Sequence, residues 1–363
     1  MSRLRLLLTS DAVGGVWTYS LELAAALAEQ ADVTTFLAVL GPAPDADQLT
    51  RAAAIPCLQL IETGLPLDWT AEGEASLRSS AEALAELAQQ GGADLVQLHA
   101  PALAVADYPT PVVTVVHSCV ATWWAAVRDG PLPADFAWRT ALAREGIRRS
   151  DLLAAPSRAF AEAVRHAYGL KRAPVAVPNG RSPTVRPDAQ GEAFVFTAGR
   201  LWDDGKNVAA FDAAAACSAL PFKAAGPLHG PNGARIDLHH AEALGLIAED
   251  RLAELLAQRP VFVSPSRYEP FGLSVLEAAQ AGCPLVLSSI LTFRELWNDA
   301  ALFADTPQEI AAAADRLVAD PAERRRLGEA ARNRAAGFTP EATGRAMLGH
   351  YRDLLGRERR AAA

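Results

Sequence analysis

The sequence predicts an α/β protein of two Rossmann-like domains, each a doubly wound parallel sheet, followed by a helical tail. Short apolar runs alternate with amphipathic helical patterns up to residue 305, as in parallel strands joined by crossover helices. Residues 181–192 interrupt the alternation with two prolines and no periodicity, which indicates a linker. We expect domains at residues 1–183 and 184–338, and a C-terminal helix at 339–363 that packs back toward the first domain.

The first domain opens with an apolar strand at residues 4–9, a glycine pair at Gly14 and Gly15, and an amphipathic helix at 16–29. Further strand-like runs occur at residues 33–40, 57–61, 95–99, 112–116, 152–155 and 175–177. Helical patterns lie between several of these runs, at residues 74–89, 134–149 and 157–167. The order of elements therefore favours one parallel sheet.

The same alternation starts again after the linker. Strand-like runs occur at residues 194–198, 222–225, 261–263 and 285–288. Helical patterns begin at residue 207 and occupy residues 249–258 and 273–281. Residues 306–359 are rich in Ala, Glu, Arg and Leu and contain no strand pattern, which predicts a helical end to the chain.

Length and charge restrict the class of protein. With 363 residues and a mass of 38.4 kDa, the chain is too long for one hydrophobic core. The net charge of -8 and the pI near 5.5 argue against a nucleic-acid binder, which would normally carry a basic patch. An acidic protein can still bind phosphate through a few well-placed cations.

The cysteines and the apolar runs indicate the compartment. The four cysteines have no CxxC pairing, which favours buried free thiols over a metal site or a disulfide framework. The first apolar run is too short for a secretory signal, and no run approaches the length of a membrane span. We expect a cytoplasmic protein, with loose membrane contact left open.

The strongest candidate for a binding site is the stretch at 261–286. A short apolar strand is followed by Pro270 and Gly272 and then by a helical pattern from Leu273. The backbone N–H groups at such a helix start have no intrahelical partners, and with the helix dipole they attract an anion. Glu269 and Glu277 flank this start and suit the hydroxyls of a sugar and a ribose. The alternative is a core helix whose glutamates face solvent.

A second candidate is the segment AGRLWDDGKN at residues 198–207. Gly199 and Gly205 are too far apart for a Walker A loop, and Asn207 occupies the position of its magnesium-binding Ser or Thr. Arg200 and Lys206 remain as cations after a strand, a pair that suits a pyrophosphate. The alternative is surface ion pairing with the two intervening aspartates.

The first domain contributes candidates at the ends of its strands, where open parallel sheets bind ligands. Gly14 and Gly15 follow the first strand and would let a ligand approach the backbone closely, although the G-x-G-x-x-G fingerprint is absent. The alternative for this pair is a simple tight turn. His117 ends another strand; it is either a ligand contact or a structural histidine, and His99 is expected to be structural.

Three further features of the sequence give weaker evidence for or against a functional site. Trp123 and Trp124 offer faces on which sugars stack, or else belong to the core. Asp45 and Asp47 form a D-x-D in a proline-flanked loop that we expect to be solvated surface. The sequence has neither a G-x-S-x-G elbow nor clustered metal ligands.

Taken together, these motifs resemble the retaining nucleotide-sugar glycosyltransferases of the GT-B fold, specifically family 4. The resemblance covers most of the chain. The matching segments are GGVWTYSLELAAAL, DLVQLHA, VVTVVHS, PSRAFAEAV, VPNGR, AGRLWDDGKN, SPSRYEPFGLSVLEAAQAGCPLV and FRELW. The two glutamates seven residues apart around F-G-L are the most specific of these features, and the resemblance implies two domains facing a central cleft.

The resemblance also implies residue roles. It implies that Glu269 lies by the donor sugar, that Glu277 binds the ribose, and that Arg200 and Lys206 hold the diphosphate. It implies that backbone amides at Phe271, Gly272 and Leu273 contact phosphate or sugar, that the Gly14–Gly15 loop closes over the diphosphate, and that His117 touches the sugar near the reacting carbon. The chain departs from the family at one point: Lys206 lies six residues after Arg200, where five is usual.

The resemblance implies transfer of a hexose with retention, to a hydroxyl of a glycolipid, a polysaccharide or a small molecule, without cofactor or metal. UDP-hexose is the first expectation for the donor and GDP-mannose the second. Two other functions stay open: a sugar-nucleotide epimerase of the same architecture, and a non-catalytic protein that binds nucleotide sugars. A glycoside hydrolase is disfavoured, because hydrolysis of a glycosidic bond does not require a phosphate-binding site between the two catalytic acids.

Overall fold

A computed structural model describes residues 3–184, 193–230 and 233–361. The chain divides into two compact units: residues 1–124, 129–181 and 339–363 form the first, and residues 125–128 and 182–338 the second. The predicted boundary at 183 lies two residues from the boundary between the units, and the one at 338 coincides with it. Most of the predicted linker, residues 185–192, lies outside the described residues.

The first unit contains a seven-stranded sheet in which every strand pair is parallel. The order of the strands is β3-β2-β1-β4-β5-β6-β7, so the chain winds outward in both directions from β1. The strands are β1 (Leu4–Asp11), β2 (Val33–Leu40), β3 (Leu58–Glu62), β4 (Leu95–Leu98), β5 (Val112–Val115), β6 (Leu152–Ala155) and β7 (Val175–Ala176).

Helices cover both faces of this sheet. They are α1 (Gly15–Gln30), α2 (Ala46–Ala53), α3 (Glu74–Gln90), α4 (Val120–Val127), α5 (Ala134–Arg149) and α6 (Arg158–Tyr168). Because neighbouring residues of a strand point to opposite faces, β1 feeds two cores. Leu6 and Leu8 pack with Trp17 of α1, whereas Leu7 packs with Leu77 of α3.

The second unit repeats this plan with a six-stranded parallel sheet in the order β10-β9-β8-β11-β12-β13. Its strands are β8 (Val195–Ala198), β9 (Phe222–Ala225), β10 (Glu242–Gly245), β11 (Val261–Ser264), β12 (Leu285–Leu287) and β13 (Ala301–Phe303). Its helices are α7 (Val208–Ala215), α8 (Glu249–Ala257), α9 (Leu273–Gln280), α10 (Leu291–Trp297), α11 (Pro307–Ala319) and α12 (Pro321–Ala335).

The last helix, α13 (Pro340–Ala361), belongs to the first unit. Met347, Leu348 and Tyr351 are buried in the same core as Trp17 and Leu27 of α1. Near its start, Thr343 donates its hydroxyl hydrogen to the carbonyl oxygen of Pro178, 2.7 Å away. The chain thus returns to its first unit after completing the second.

The predicted α/β class with two parallel sheets and a helical C-terminal region is confirmed, but several details differ from the sequence analysis. Asp45 lies at the start of a helix and not within a loop, because its carboxylate caps α2 by accepting the N–H of Gln48. The cysteines are free, yet Cys57 and Cys217 are exposed and only Cys283 is fully buried, so the prediction of four buried thiols was wrong. Within the described part of the chain, no helix is both long and apolar enough to span a membrane.

Candidate functional site

A pocket lies in the second unit at the carboxyl ends of β8 and β11, beside the start of α9. Residues at and after the ends of the two strands line the pocket, and several of them are small or carry a hydroxyl group. The lining residues are Thr197, Ala198, Gly199, Leu201, Lys206, Val208, Ser264, Pro265, Ser266 and Ser274. This is the end of an open parallel sheet at which ligands bind.

The start of α9 depends on Gly272. Its φ of +94° is rare for residues with a side chain, and a Cβ there would lie 3.2 Å from the Phe293 ring and 3.3 Å from Cγ of Glu269. The N–H of Leu276 bonds to the carbonyl of Gly272, so the N–H groups of the first helical turn before it lie outside the helical ladder. Ser274, in that turn, lines the pocket.

Phe271 contributes to this region only through its backbone. Its ring is 3% exposed and packs edge-on against Phe338, with 5.6 Å between the ring centroids. The ring therefore anchors the turn before α9 in the core of the second unit. Any contact of residue 271 with an anion has to come from the N–H group.

Lys206 and Glu269 form an ion pair at the edge of the pocket. The lysine side chain is 20% exposed and the glutamate side chain 11%, so the pair is largely shielded from water. The family resemblance implies that the two groups bind different parts of a donor, and no sequence pattern predicts that they contact each other. Their pairing holds the ammonium group at the pocket that Ser274 of α9 also lines.

The loop between Arg200 and Lys206 ends in a short 3-10 turn, Asp204–Lys206. Its central residue, Gly205, is buried, and its carbonyl accepts the N–H groups of Arg267 and Tyr268 at 2.8 and 3.1 Å. This attaches the loop after β8 to the loop after β11. Lys206, at the end of this turn, lines the pocket.

Arg200 lies beside this pocket but is not among its lining residues. Its side chain is 53% exposed, and Nη2 donates to Oδ2 of Asp203 at 3.1 Å. The surface ion pairing considered as the alternative is therefore present for this residue. The side chain of Asp203 is 11% exposed, and its Oδ1 also accepts the N–H of Gly205 at 2.9 Å. The carboxylate therefore keeps a hydrogen bond when the half-exposed guanidinium turns toward a ligand.

Glu277 lies in the second turn of α9 and is partly buried. The structure thus brings Lys206, Glu269, Gly272 and Leu273 together around one helix start, with Glu277 one turn further along. The hydroxyl groups of the pocket were missed by sequence analysis. Their only signal was the serine pair flanking Pro265, whose hydroxyl oxygens are 3.0 Å apart.

In the first unit, Gly14 and Gly15 form the turn between β1 and α1. Oδ1 of Asp11 accepts the N–H groups of Val13 and Gly14 at 2.8 and 3.1 Å and holds the turn in place. The backbone of Gly14 is extended, and a Cβ there would meet nothing within 4 Å. The fold itself therefore gives no reason for a glycine at position 14, and the tight-turn alternative does not explain it.

His117 follows β5 and packs in a cluster of aromatic rings. Its ring centroid is 4.5 Å from that of Tyr19 and 4.8 Å from that of His99, both in edge-to-face geometry. Among the described residues, its buried Nε2 atom has no hydrogen-bond partner. Burial lowers the pKa of His117 to about 4, so the imidazole is neutral at physiological pH.

Tyr19 connects this histidine to the glycine turn, because it lies one turn after Gly15 in α1.

Trp123 and Trp124 lie on α4. Trp124 packs against Phe136 and donates its indole N–H to the carbonyl of Gly130 at 3.1 Å, which indicates a structural role for that ring. In the three described ranges, no group of three or more His, Cys, Asp or Glu residues could hold a metal ion.

Sequence comparison identifies two families in the chain. The family described as Glycosyltransferase Family 4 matches residues 13–184, and the family described as Glycosyl transferases group 1 matches residues 237–334. One relative is the alpha-D-kanosaminyltransferase of Streptomyces kanamyceticus, 28% identical over 233 residues, which are 62% of this chain and 57% of the relative. Matches to the curated relatives span only 16% to 57% of their lengths.

Solved structures resemble the chain over nearly its whole length. The sucrose-phosphate synthase of Thermosynechococcus elongatus has a TM-score of 0.78 at 19% identity, covering 98% of this chain and 100% of that protein. The Anabaena protein HepE in complex with UDP and glucose has a TM-score of 0.69 at 17% identity, covering 96% and 99%. At these identities the likeness shows a shared fold alone.

Proposed function

Since this chain belongs to the GT-B glycosyltransferases of family 4, we propose that it transfers a hexose, with retention of configuration, from a nucleotide-diphosphate sugar to a hydroxyl group. The membership predicted from the motifs is confirmed by the two family matches. The observation that carries the proposal is the pocket at the start of α9, which Lys206 lines and Glu269 borders through its ion pair.

Breaking the bond between a sugar and a diphosphate develops negative charge on the departing oxygen. The N–H groups at the start of α9 and the ammonium group of Lys206 stabilise that charge. An ammonium group has three hydrogens, so Lys206 can donate to Glu269 and to a phosphate oxygen at the same time. Arg200 turns from Asp203 to the diphosphate when the donor binds.

The remaining site residues bind the two ends of the donor. Glu269 accepts a hydrogen bond from a sugar hydroxyl, and Glu277 accepts from the ribose hydroxyls. In the first unit, the Gly14–Gly15 turn binds the diphosphate and His117 contacts the sugar near the reacting carbon. Because burial keeps the imidazole neutral, its Nε2 atom can form a hydrogen bond without adding charge to the reacting centre.

The configuration at the anomeric carbon is retained if the acceptor hydroxyl attacks that carbon from the same face as the departing diphosphate. Two cations and a helix start provide the stabilisation that a metal ion gives in other transferases, so the reaction is independent of divalent metal. UDP-hexose is the favoured donor, since the Anabaena structural neighbour is a complex with UDP and glucose. GDP-mannose is the second candidate.

The acceptor is a hydroxyl of a glycolipid, a polysaccharide or a small molecule, and cell-surface polysaccharide assembly in the cytoplasm is a setting that suits it. An acceptor carried by a lipid would require peripheral membrane contact.

The test is a donor screen with the purified chain. UDP-, GDP- and ADP-hexoses are incubated with and without a lysate fraction of glycolipids and saccharides, and both nucleotide release and the recovered donor are analysed. A transferase releases nucleotide only when acceptor is present, and the release is lost in Arg200→Ala. Activity that persists in EDTA supports metal independence, and the anomeric proton coupling of the product identifies retention or inversion.

The same screen separates the alternatives. A sugar-nucleotide epimerase would convert the donor without any acceptor, and the recovered donor would contain the epimer. A non-catalytic binding protein would shift its melting temperature with the donor but release no nucleotide in any mixture. Either result would overturn the proposed transfer.

A further inference from the structure

A chain of hydrogen bonds connects the last helix to the histidines of the first unit. Tyr351 of α13 is fully buried, and its hydroxyl group bonds to Oε1 of Gln97, which is also fully buried, in β4. Nε2 of Gln97 lies 2.9 Å from Nε2 of His99. On the far side of that ring, Nδ1 of His99 lies 3.4 Å from the hydroxyl oxygen of Ser20 in α1.

The chain has one consistent direction. The amide nitrogen of Gln97 can only donate, so Nε2 of His99 accepts and the ring proton resides on Nδ1. That proton then points to the oxygen of Ser20, whose own hydroxyl hydrogen is donated to the carbonyl of Val16 at 2.8 Å. Both hydroxyl groups and the ring N–H between Tyr351 and Ser20 therefore have an acceptor, and His99 is held as a neutral ring in one tautomer.

His99 in turn packs against His117. The two rings are nearly perpendicular, at 89°, and Tyr19 contacts both of them. Burial and the neighbouring His117 lower the pKa of His99 well below its usual range. His117 has no hydrogen bond at Nε2 among the described residues, so at that edge its orientation depends on packing against the rings of Tyr19 and His99.

We propose that Tyr351 and Gln97 are positioning residues, which fix the tautomer and orientation of His99 and through its ring hold His117 in place for the sugar. The inference rests on the proposed function of His117 as a donor contact. It assigns α13 a role in the reaction, since the helix supplies the first donor of a hydrogen-bond chain that holds His99, and the ring of His99 packs against His117.

The first test measures the tautomeric state of the histidine rings directly. The full-length chain is labelled with ¹⁵N-histidine, and long-range ¹H–¹⁵N spectra distinguish the two neutral tautomers of its seven histidines. His99→Asn and His117→Asn assign the two signals by their disappearance. We expect a pure Nδ1–H form of His99 in the wild type. In Tyr351→Phe, which keeps the buried ring, we expect a mixture of tautomers and a shifted His117 signal.

The second test measures turnover with the donor identified by the screen. Tyr351→Phe and Gln97→Leu should lower kcat about fivefold to tenfold, while KM for the donor changes less than twofold. Tyr108→Phe is the matched control, because Tyr108 also donates a single hydrogen bond, 2.9 Å long, to the carbonyl of Leu103 in the same unit. Tyr108→Phe should change neither the histidine spectrum nor kcat, although it also removes a hydrogen-bonded tyrosine hydroxyl group.

Several outcomes overturn the inference. Unchanged His99 and His117 signals in both Tyr351→Phe and Gln97→Leu would exclude the hydrogen-bond chain as their organiser. Altered signals with an unchanged kcat would exclude a role in the reaction, and an equal loss in Tyr108→Phe would reduce the effect to general destabilisation. If the wild type transfers no sugar at all, the proposed function fails, and the spectra alone decide whether the chain positions the histidines.

Discussion

At the scale of single residues, the proposed site contains two cations in different settings. Lys206 is partly buried and paired with Glu269, whereas Arg200 is half-exposed and paired with Asp203. The two carboxylates are equally shielded, but Asp203 also accepts the N–H of Gly205 and keeps that hydrogen bond if its cation is lost. The fold should therefore depend on the more buried Lys206 more than on Arg200. Stability and activity should therefore respond differently to the two substitutions.

Arg200→Ala should lower kcat/KM by about 10²- to 10³-fold, the usual cost of removing one donor that stabilises a developing negative charge. The free energy of unfolding should change by less than about 0.5 kcal/mol, as for most exposed positions. Arg251→Ala is a control for the loss of a half-exposed arginine, since Arg251 is 58% exposed and forms an i,i+3 pair with Glu254, which is itself 54% exposed. The control should lose neither activity nor stability, and equal activity losses would contradict the assignment.

Lys206 and Glu269 should be coupled energetically. Lys206→Met alone leaves a shielded carboxylate without its cation and should cost about 1–3 kcal/mol of unfolding free energy. Urea titrations of Lys206→Met, Glu269→Gln and the double variant give the coupling in a double-mutant cycle. We expect the double variant to recover part of the lost stability but none of the activity. Strictly additive losses would mean that the pair does not interact.

At the scale of elements, the loop before α9 determines whether its N–H groups are available to an anion. Gly272→Ala should cost about 1–2 kcal/mol from its positive φ, with a further cost from the contacts of the new Cβ with Phe293 and Glu269. Gly169→Ala isolates the first effect, because Gly169 has a φ of +65° and open space around it. Chemical unfolding should rank Gly272→Ala as more damaging, and only that variant should weaken donor binding.

The elements that could be predicted from the sequence are those with a clear pattern. The predicted strands at 33–40, 152–155 and 222–225 match β2, β6 and β9 to the residue. The prediction missed β10, whose first two residues are exposed at the sheet edge and so break the apolar run. It also missed α10, a helix of seven residues that is too short to display a period of 3.6.

Part of the pocket region was also indicated by local patterns in the sequence. Glycines and charged residues placed after strands are local signals, and they led to Arg200, Lys206, Glu269 and Gly272. The pairing of Lys206 with Glu269 joins residues 63 positions apart, and no local pattern contains such a contact. The chain from Tyr351 to His99 spans even more sequence, so only the folded structure reveals it.

At the scale of the whole molecule, buried histidines should make stability depend on pH. His117 has a pKa of about 4 in the folded protein, because burial disfavours its charged form, against about 6.5 when unfolded. Between these values the unfolded chain binds more protons, so the free energy of unfolding should fall as the pH falls from about 6.5 toward 4. Burial acts on His99 in the same direction.

Urea unfolding at pH 7, 6 and 5 measures this slope. His117→Asn should make it shallower than in the wild type, and an unchanged slope would contradict the buried neutral state of His117.

The last helix should stabilise the first unit and not the second, although it follows the second in sequence. Leu348 of α13 is 5% exposed in the core of the first unit, and Leu327 of α12 is 3% exposed in the core of the second. Each Leu→Ala substitution should cost about 2–5 kcal/mol. By hydrogen exchange, Leu348→Ala should accelerate exchange in β1 and leave β11 protected, and Leu327→Ala should do the reverse. If both variants loosen both strands equally, the two cores unfold as one, and α13 cannot be said to stabilise the first unit separately.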